Sequence, residues 1–107
     1  DHFLPWTLRG SVAANLNGVW NLVLACPACN RGPGGKFDLV PSPALLERLH
    51  RRNEFLISSH HPLRETLMAQ TGAAVLDRVG YLQDRYTEAV EARIGVWTPP
   101  QSEAPAF

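Results

Sequence analysis

The residues best equipped for chemistry lie in the first 36 positions of the chain. Asp1 and His2 set a carboxylate beside an imidazole. Neighbours on an extended strand point to opposite sides, so the pair suits two separate jobs: Asp1 as a hard oxygen ligand for a cation, His2 as a general base. Asn21 and Asn30 add amides that hydrogen-bond well, and the carbonyl oxygen of Asn30 can also ligate a hard metal. Cys26-Pro27-Ala28-Cys29 places two thiols at x2 spacing. Such a pair is half of a zinc site, a redox motif or an unmetallated pair of small hydrophobes. A thioredoxin-like redox centre wants an α/β pattern downstream, and the remainder of this chain reads as helical.

Cationic residues follow the same segment. Arg31-Gly32-Pro33-Gly34-Gly35-Lys36 resembles a phosphate loop only superficially: Asn30 stands where the first glycine belongs, and Phe37 replaces the Ser/Thr after the lysine. It reads as a flexible basic turn in which Arg31 and Lys36 are placed to meet backbone phosphates. Arg48, Arg51 and Arg52, at helical spacing, extend the candidate DNA-binding surface. Contacts of this kind position DNA without reading its sequence, and they weaken steeply with salt. His50, beside these arginines, is expected to face solvent or phosphate.

The elements that must position these groups change character along the chain. His2 to Trp6 reads as a short extended piece stopped by Pro5, and residues 7–19, with Gly10, Asn15, Asn17 and Gly18, read as a loop. Asn21 to Ala25 is an apolar run of strand length leading into the cysteine pair, where a short helix begins. Ser42-Pro43 then starts a helix, with a capping hydroxyl and proline at the first helical position. Its apolar face is Leu45, Leu49 and Leu56, flanked by Leu46 and Ile57, through about residue 58. A second helix follows Ser59-His60-His61-Pro62 and ends at Gly72, and a third spans 73–94 with Val75, Val79, Leu82, Tyr86 and Val90 on its inner face. Gly80 inside that helix suggests close packing. Residues 97–107, rich in proline, read as a disordered tail.

Composition bounds the possibilities. At 107 residues the chain is one domain. With 45% hydrophobic and 19% charged residues it is not compositionally disordered. It contains no apolar run long enough for a membrane span and no signal peptide, so a cytoplasmic setting is the expectation. Ten basic residues balance ten acidic ones, but the balance is a cancellation. Residues 1–64 carry a formal +3 and all four histidines, and residues 65–107 carry −3, so the front half is the one suited to phosphates. A start at Asp1 rather than Met, inside a structured element, suggests a fragment, a processed chain or an excised domain.

Taken in order, Asp1-His2-Phe3-Leu4-Pro5-Trp6, Asn21-Leu22-Val23 and Cys29-Asn30 resemble the HNH endonuclease family over about residues 1–36. The downstream helices resemble segments that accompany such modules in larger bacterial DNA-processing proteins. The resemblance implies an α+β fold: a ββα-metal hairpin and helix in residues 1–41, a helical extension in 42–96 packed in the same domain, and the tail in 97–107. It implies hydrolysis of DNA phosphodiester bonds. His2 would activate water, while Asp1 and Asn30 hold a divalent cation, as in the HNN variants. Oxygen ligands favour Mg or Mn, and so open a site also admits Zn. By the same resemblance Asn21 is the middle residue, holding the loop and orienting His2 without touching metal.

The chain departs from the family at its zinc knuckle. Many members carry another x2 cysteine pair before the aspartate, which joins the second pair in a structural Zn site. Here Cys26 and Cys29 are half of such a site, and a closed zinc centre needs four ligands. The thiols are unmetallated, or two chains share one zinc as a homodimer, or two of His50, His60 and His61 complete the set. The expected partners are DNA and the rest of a larger polypeptide, with no membrane. A non-catalytic zinc- or DNA-binding module is the alternative reading.

Overall fold

In the computed structural model, which describes residues 1–24, 39–92 and the backbone of 96–97, residues 1–24 are built mainly from turns. A 3₁₀ turn spans Trp6–Leu8, after Pro5. A second, Val19–Asn21, is entered from Gly18. A Cβ at Gly18 would fall 2.5 Å from Nε1 of buried Trp20, so only glycine allows the turn to close on that indole.

The chain then runs antiparallel to its own beginning. His2 bridges Leu22, the Phe3 N–H donates to the Asn21 carbonyl at 2.7 Å, and the Val23 N–H donates to the Asp1 carbonyl at 2.8 Å. This corrects the strand expected over 21–25 to a shorter ladder. The Asn21 N–H is taken by the Gly18 carbonyl at 3.0 Å, which draws Asn21 into the 3₁₀ turn and leaves Leu22 as the bridging residue. Ala25 lies outside the described residues.

Three α-helices follow among the described residues: α1 (Pro43–Ser58), α2 (Arg64–Thr71) and α3 (Val75–Ala92). Proline at the first position of α1 loses no intrahelical hydrogen bond. Ser42 makes no side-chain cap, contrary to expectation. Its backbone carbonyl instead accepts from the Leu45 and Leu46 N–H groups. Leu45, Leu49, Asn53 and Ile57, four apart, form the buried face of α1. Gly72 ends α2 at φ 135°, and a Cβ there would meet the Asp77 Cβ at 2.6 Å.

On α3, Leu82 and Tyr86 are buried as the spacing predicts, but Val75, Val79 and Val90 are exposed and Arg78 is buried. The polar residue is tolerated inside because its donors are matched. Its Nε and Nη2 meet the Glu54 carboxylate at 2.6 and 2.8 Å. Its Nη1 donates to the Gly72 and Ala73 carbonyls at 3.1 and 2.9 Å. The hydrogen bond from Arg78 holds the Glu54 carboxyl below its ordinary pKa. Gly80 faces open space, with nothing within 4 Å of an added Cβ, so the close packing expected there is absent.

Strands β1 (Val40–Pro41) and β2 (Val96–Trp97) pair in parallel, Val40 with Val96 and Pro41 with Trp97. Trp97, assigned to the tail from sequence, is thus held by backbone pairing; residues 98–107 lie outside the described set. The Tyr86 hydroxyl donates to the Pro41 carbonyl, fixing α3 to β1. One core joins the front third to the helices: Phe3, Leu4, Leu16, Trp20 and Val23 cluster with Val40, Leu45, Leu49, Leu67, Leu82 and Ala89. The result is a helix-dominated, mixed α+β domain. Among the described residues no helix is long and apolar enough to cross a membrane.

Candidate active site

His2 sits in the antiparallel ladder with both flanks restrained. Behind it, Asn21 is fully buried and works as a two-sided clamp. Its Oδ1 accepts from the Leu4 N–H at 2.7 Å, and its Nδ2 donates to the Leu4 and Leu16 carbonyls at 3.0 and 2.9 Å. The backbone two residues beyond His2 is thereby tied to the far side of the loop. A buried amide with all three bonds made is inexpensive to keep and costly to break.

The imidazole of His2 is restrained separately. Its Nε2 lies 2.7 Å from Oδ1 of Asn17. An amide oxygen accepts, so this contact favours the tautomer with its proton on Nε2 and its lone pair on Nδ1. Asn17 is itself fixed by its N–H donating to Asn15 Oδ1 at 3.0 Å. Trp6 stacks on the imidazole, with ring centroids 5.7 Å apart and planes 28° from parallel. Arg9 places its guanidinium 5.3 Å from the Trp6 ring centroid. Neither Asn17 nor the Trp6–Arg9 corner was singled out from sequence. Asn17 is indistinguishable there from any turn asparagine, and Trp6 reads as part of an extended piece.

Asp1 adjoins His2 in the same ladder, with an exposed side chain and its backbone nitrogen donating to the Val23 carbonyl at 2.9 Å. Asn30, Cys26 and Cys29, the other proposed metal ligands, lie outside the described residues, as do Arg31 and Lys36. Among the described residues, no three His, Cys, Asp or Glu side chains gather where they could hold a metal ion.

The arginine cluster of α1 divides. Arg52 is half-buried and its guanidinium is engaged by backbone carbonyls. Its Nη1 donates to the Leu22 carbonyl at 2.8 Å, its Nη2 reaches the Val19 carbonyl at 3.3 Å, and its Nε donates to Asn53 Oδ1 at 2.8 Å. Burial works to lower its pKa. These carbonyls lie in and just after the 3₁₀ turn, and a cation meets their partial negative charge. Asn53 adds a bond from Nδ2 to the Trp20 carbonyl at 3.3 Å. Arg51 pairs at the surface with Glu47 at 2.6 Å, and Arg48 is exposed.

The remaining histidines also take particular places. His50, expected to face solvent or phosphate, instead lines a cavity of about 270 Å³ between α1 and α3, with Leu46, Glu47, Val79, Leu82 and Tyr86. Its Nδ1 is buried and has no hydrogen-bond partner among the described residues. The spacing of α1 puts His50 one residue past buried Leu49, which turns the ring towards α3 rather than outward. His60 and His61 are exposed; Nδ1 of His61 accepts from the Leu63 N–H at 3.1 Å.

No family model matches the chain, and neither curated proteins nor solved structures include a match to it.

Proposed function

We propose that this chain is a metal-dependent nuclease module of the HNH type that hydrolyses DNA phosphodiester bonds. The observation that carries the reading is the state of His2. Its Nε2 is held 2.7 Å from Asn17 Oδ1 and its ring is stacked on Trp6, an arrangement that favours Nδ1 as the basic position. A general base for water needs a preferred tautomer and a fixed orientation. In the ββα reading, the ladder around His2 and Leu22 is the hairpin, and Asn21 is its internal brace.

Asp1 and Asn30 would hold a Mg or Mn ion, since carboxylate and amide oxygens suit a hard cation and leave positions open. Such a cation supplies charge stabilisation to the phosphate and to the leaving 3′ oxygen. Cys26 and Cys29 would form half of a structural zinc site. Arg31, Lys36, Arg48 and Arg51 remain the proposed phosphate contacts, with Arg52 withdrawn from that set by its bonds to the 3₁₀ carbonyls. A larger DNA-processing polypeptide and a cytoplasmic setting belong to the same proposal.

A plasmid-nicking assay with Mg or Mn, comparing the wild-type chain with His2→Ala, tests it. Cleavage by the wild type alone supports the nuclease. Equal cleavage by both proteins, or none by either, overturns it; DNA binding without cleavage in the second case would favour a non-catalytic DNA-binding module.

A further inference from the structure

The rim of His2 has an unexpected composition for a surface that follows a double helix. A duplex presents a row of phosphates and is held chiefly by rows of Lys and Arg. Among the described residues, His2 is instead bordered by Trp6, which is 41% exposed, by Leu22 across the bridge at 38%, and by the uncharged Asn17. Of the described cations near this edge, Arg52 is taken up by the Leu22 carbonyl, and Arg9 lies over the Trp6 ring.

An exposed indole of this kind requires an explanation. Tryptophan is ordinarily drawn into the core, as Trp20 is in this same fold. Trp6 is kept at the surface by its position between Pro5 and the 3₁₀ turn it opens, with its ring committed to His2 on one side of the site. Arg9 is held there only loosely, through an exposed 3.3 Å contact from Nη1 to the Trp6 carbonyl, so its guanidinium can move aside while staying close.

We propose that Trp6 and Arg9 form a stacking platform for an unpaired nucleobase, and hence that the substrate is single-stranded or locally unpaired DNA. This rests on the nuclease reading of His2. An indole face stacks any base regardless of sequence, but only a base whose own face is uncovered, which duplex stacking prevents. Arg9 adds a cation for the adjoining phosphate and a planar group that can lie on the same base. A base on Trp6 sits one ring away from the imidazole, so the phosphate attached to it is delivered to His2.

Fluorescence anisotropy of a labelled oligothymidylate and of a duplex of equal length, titrated with the full chain in EDTA, measures binding without cleavage. We expect the single strand to bind more tightly. Trp6→Leu should weaken single-strand binding about tenfold while leaving the duplex unchanged. Trp6→Phe should retain most of the affinity, and Arg9→Ala should reduce both the affinity and its salt dependence. An unchanged thermal midpoint for Trp6→Leu shows that the fold is intact. Equal affinity for the two DNA forms, or an undiminished single-strand affinity in Trp6→Leu, overturns the platform even if plasmid nicking succeeds. Selective single-strand binding lost in Trp6→Leu supports it even if no cleavage occurs, in which case the nuclease reading alone fails. Absence of binding to either DNA overturns the platform, while the plasmid assay with Mg or Mn decides the nuclease reading separately.

Discussion

The guanidinium of Arg52, in the middle of α1, donates to the carbonyl of Leu22 at 2.8 Å, and Leu22 is the residue that bridges His2. A helix of the C-terminal half thus anchors the ladder that carries the candidate base. The same side chain reaches the Val19 carbonyl and Asn53, so one cation ties the turn, the ladder and the helix together.

Arg52→Ala should therefore act on stability. Losing hydrogen bonds from a charged group in a partly buried place costs about 2 kcal/mol, or about 10 °C in Tm for a domain of this size. Thermal unfolding checks it. The salt dependence of DNA binding should not change, because Arg52 neutralises carbonyl dipoles rather than phosphate.

Asn17 should govern the tautomer of His2. In the wild-type chain at neutral pH, the nitrogen-15 shifts of the ring should identify Nε2 as the protonated nitrogen. Asn17→Ala should produce a mixture of the two tautomers. Cleavage should fall about 10- to 100-fold, the usual effect of removing a group that orients a reacting imidazole. Unchanged ring shifts in the variant would show that the 2.7 Å bond does not select the tautomer.

Asn21→Ala should destabilise the domain by about 3 kcal/mol, because it strands the Leu4 N–H and the Leu4 and Leu16 carbonyls in a dry interior. Urea denaturation measures this. A loss below about 1 kcal/mol would mean that water reaches these groups.

Glu54 and Arg78 predict a pH dependence of stability. The Glu54 carboxyl lies below its ordinary value of 4.5 in the folded chain, first because Arg78 hydrogen-bonds to it. A lowered folded pKa contributes stability that is fully present above the unfolded value and is lost as pH falls through the folded one. Wild-type stability should therefore decline below about pH 4.5, and Glu54→Gln should remove that part of the decline. At neutral pH the variant should be less stable by about 3 kcal/mol, since Arg78 remains buried without its carboxylate. Denaturation curves across the acid range test both the sign and the size.

Much of the helical half was legible because periodicity reports on a helix face directly. Pro43 marks the start of α1, Gly72 the end of α2, and Leu45, Leu49, Leu82 and Tyr86 lie inside as their spacing requires. The stripe on α3 misled at Val75, Val79 and Val90, because hydropathy could not foresee that Glu54, from another helix, would bring Arg78 inside. Gly80 misled for the opposite reason: a glycine marks permission for close approach, and here no neighbour approaches.

For the candidate site, residue types and order were enough to single out Asp1, His2 and Asn21, since a carboxylate, an imidazole and an amide carry their chemistry wherever they sit. What they do next depends on partners distant in sequence. The His2 ring meets Asn17, the rigidity of its ladder depends on the Asn21 bonds to Leu4 and Leu16, and the hold on Leu22 depends on an arginine 30 residues away. Sequence by itself determined which side-chain chemistries stand in which order and which helices would form, because both follow from residue type and local periodicity. Only the tertiary structure decided which arginine reaches the Leu22 carbonyl, which tryptophan stays exposed and which asparagine meets the His2 ring, because each of these depends on a hydrogen bond or a contact that exists only once the chain has closed.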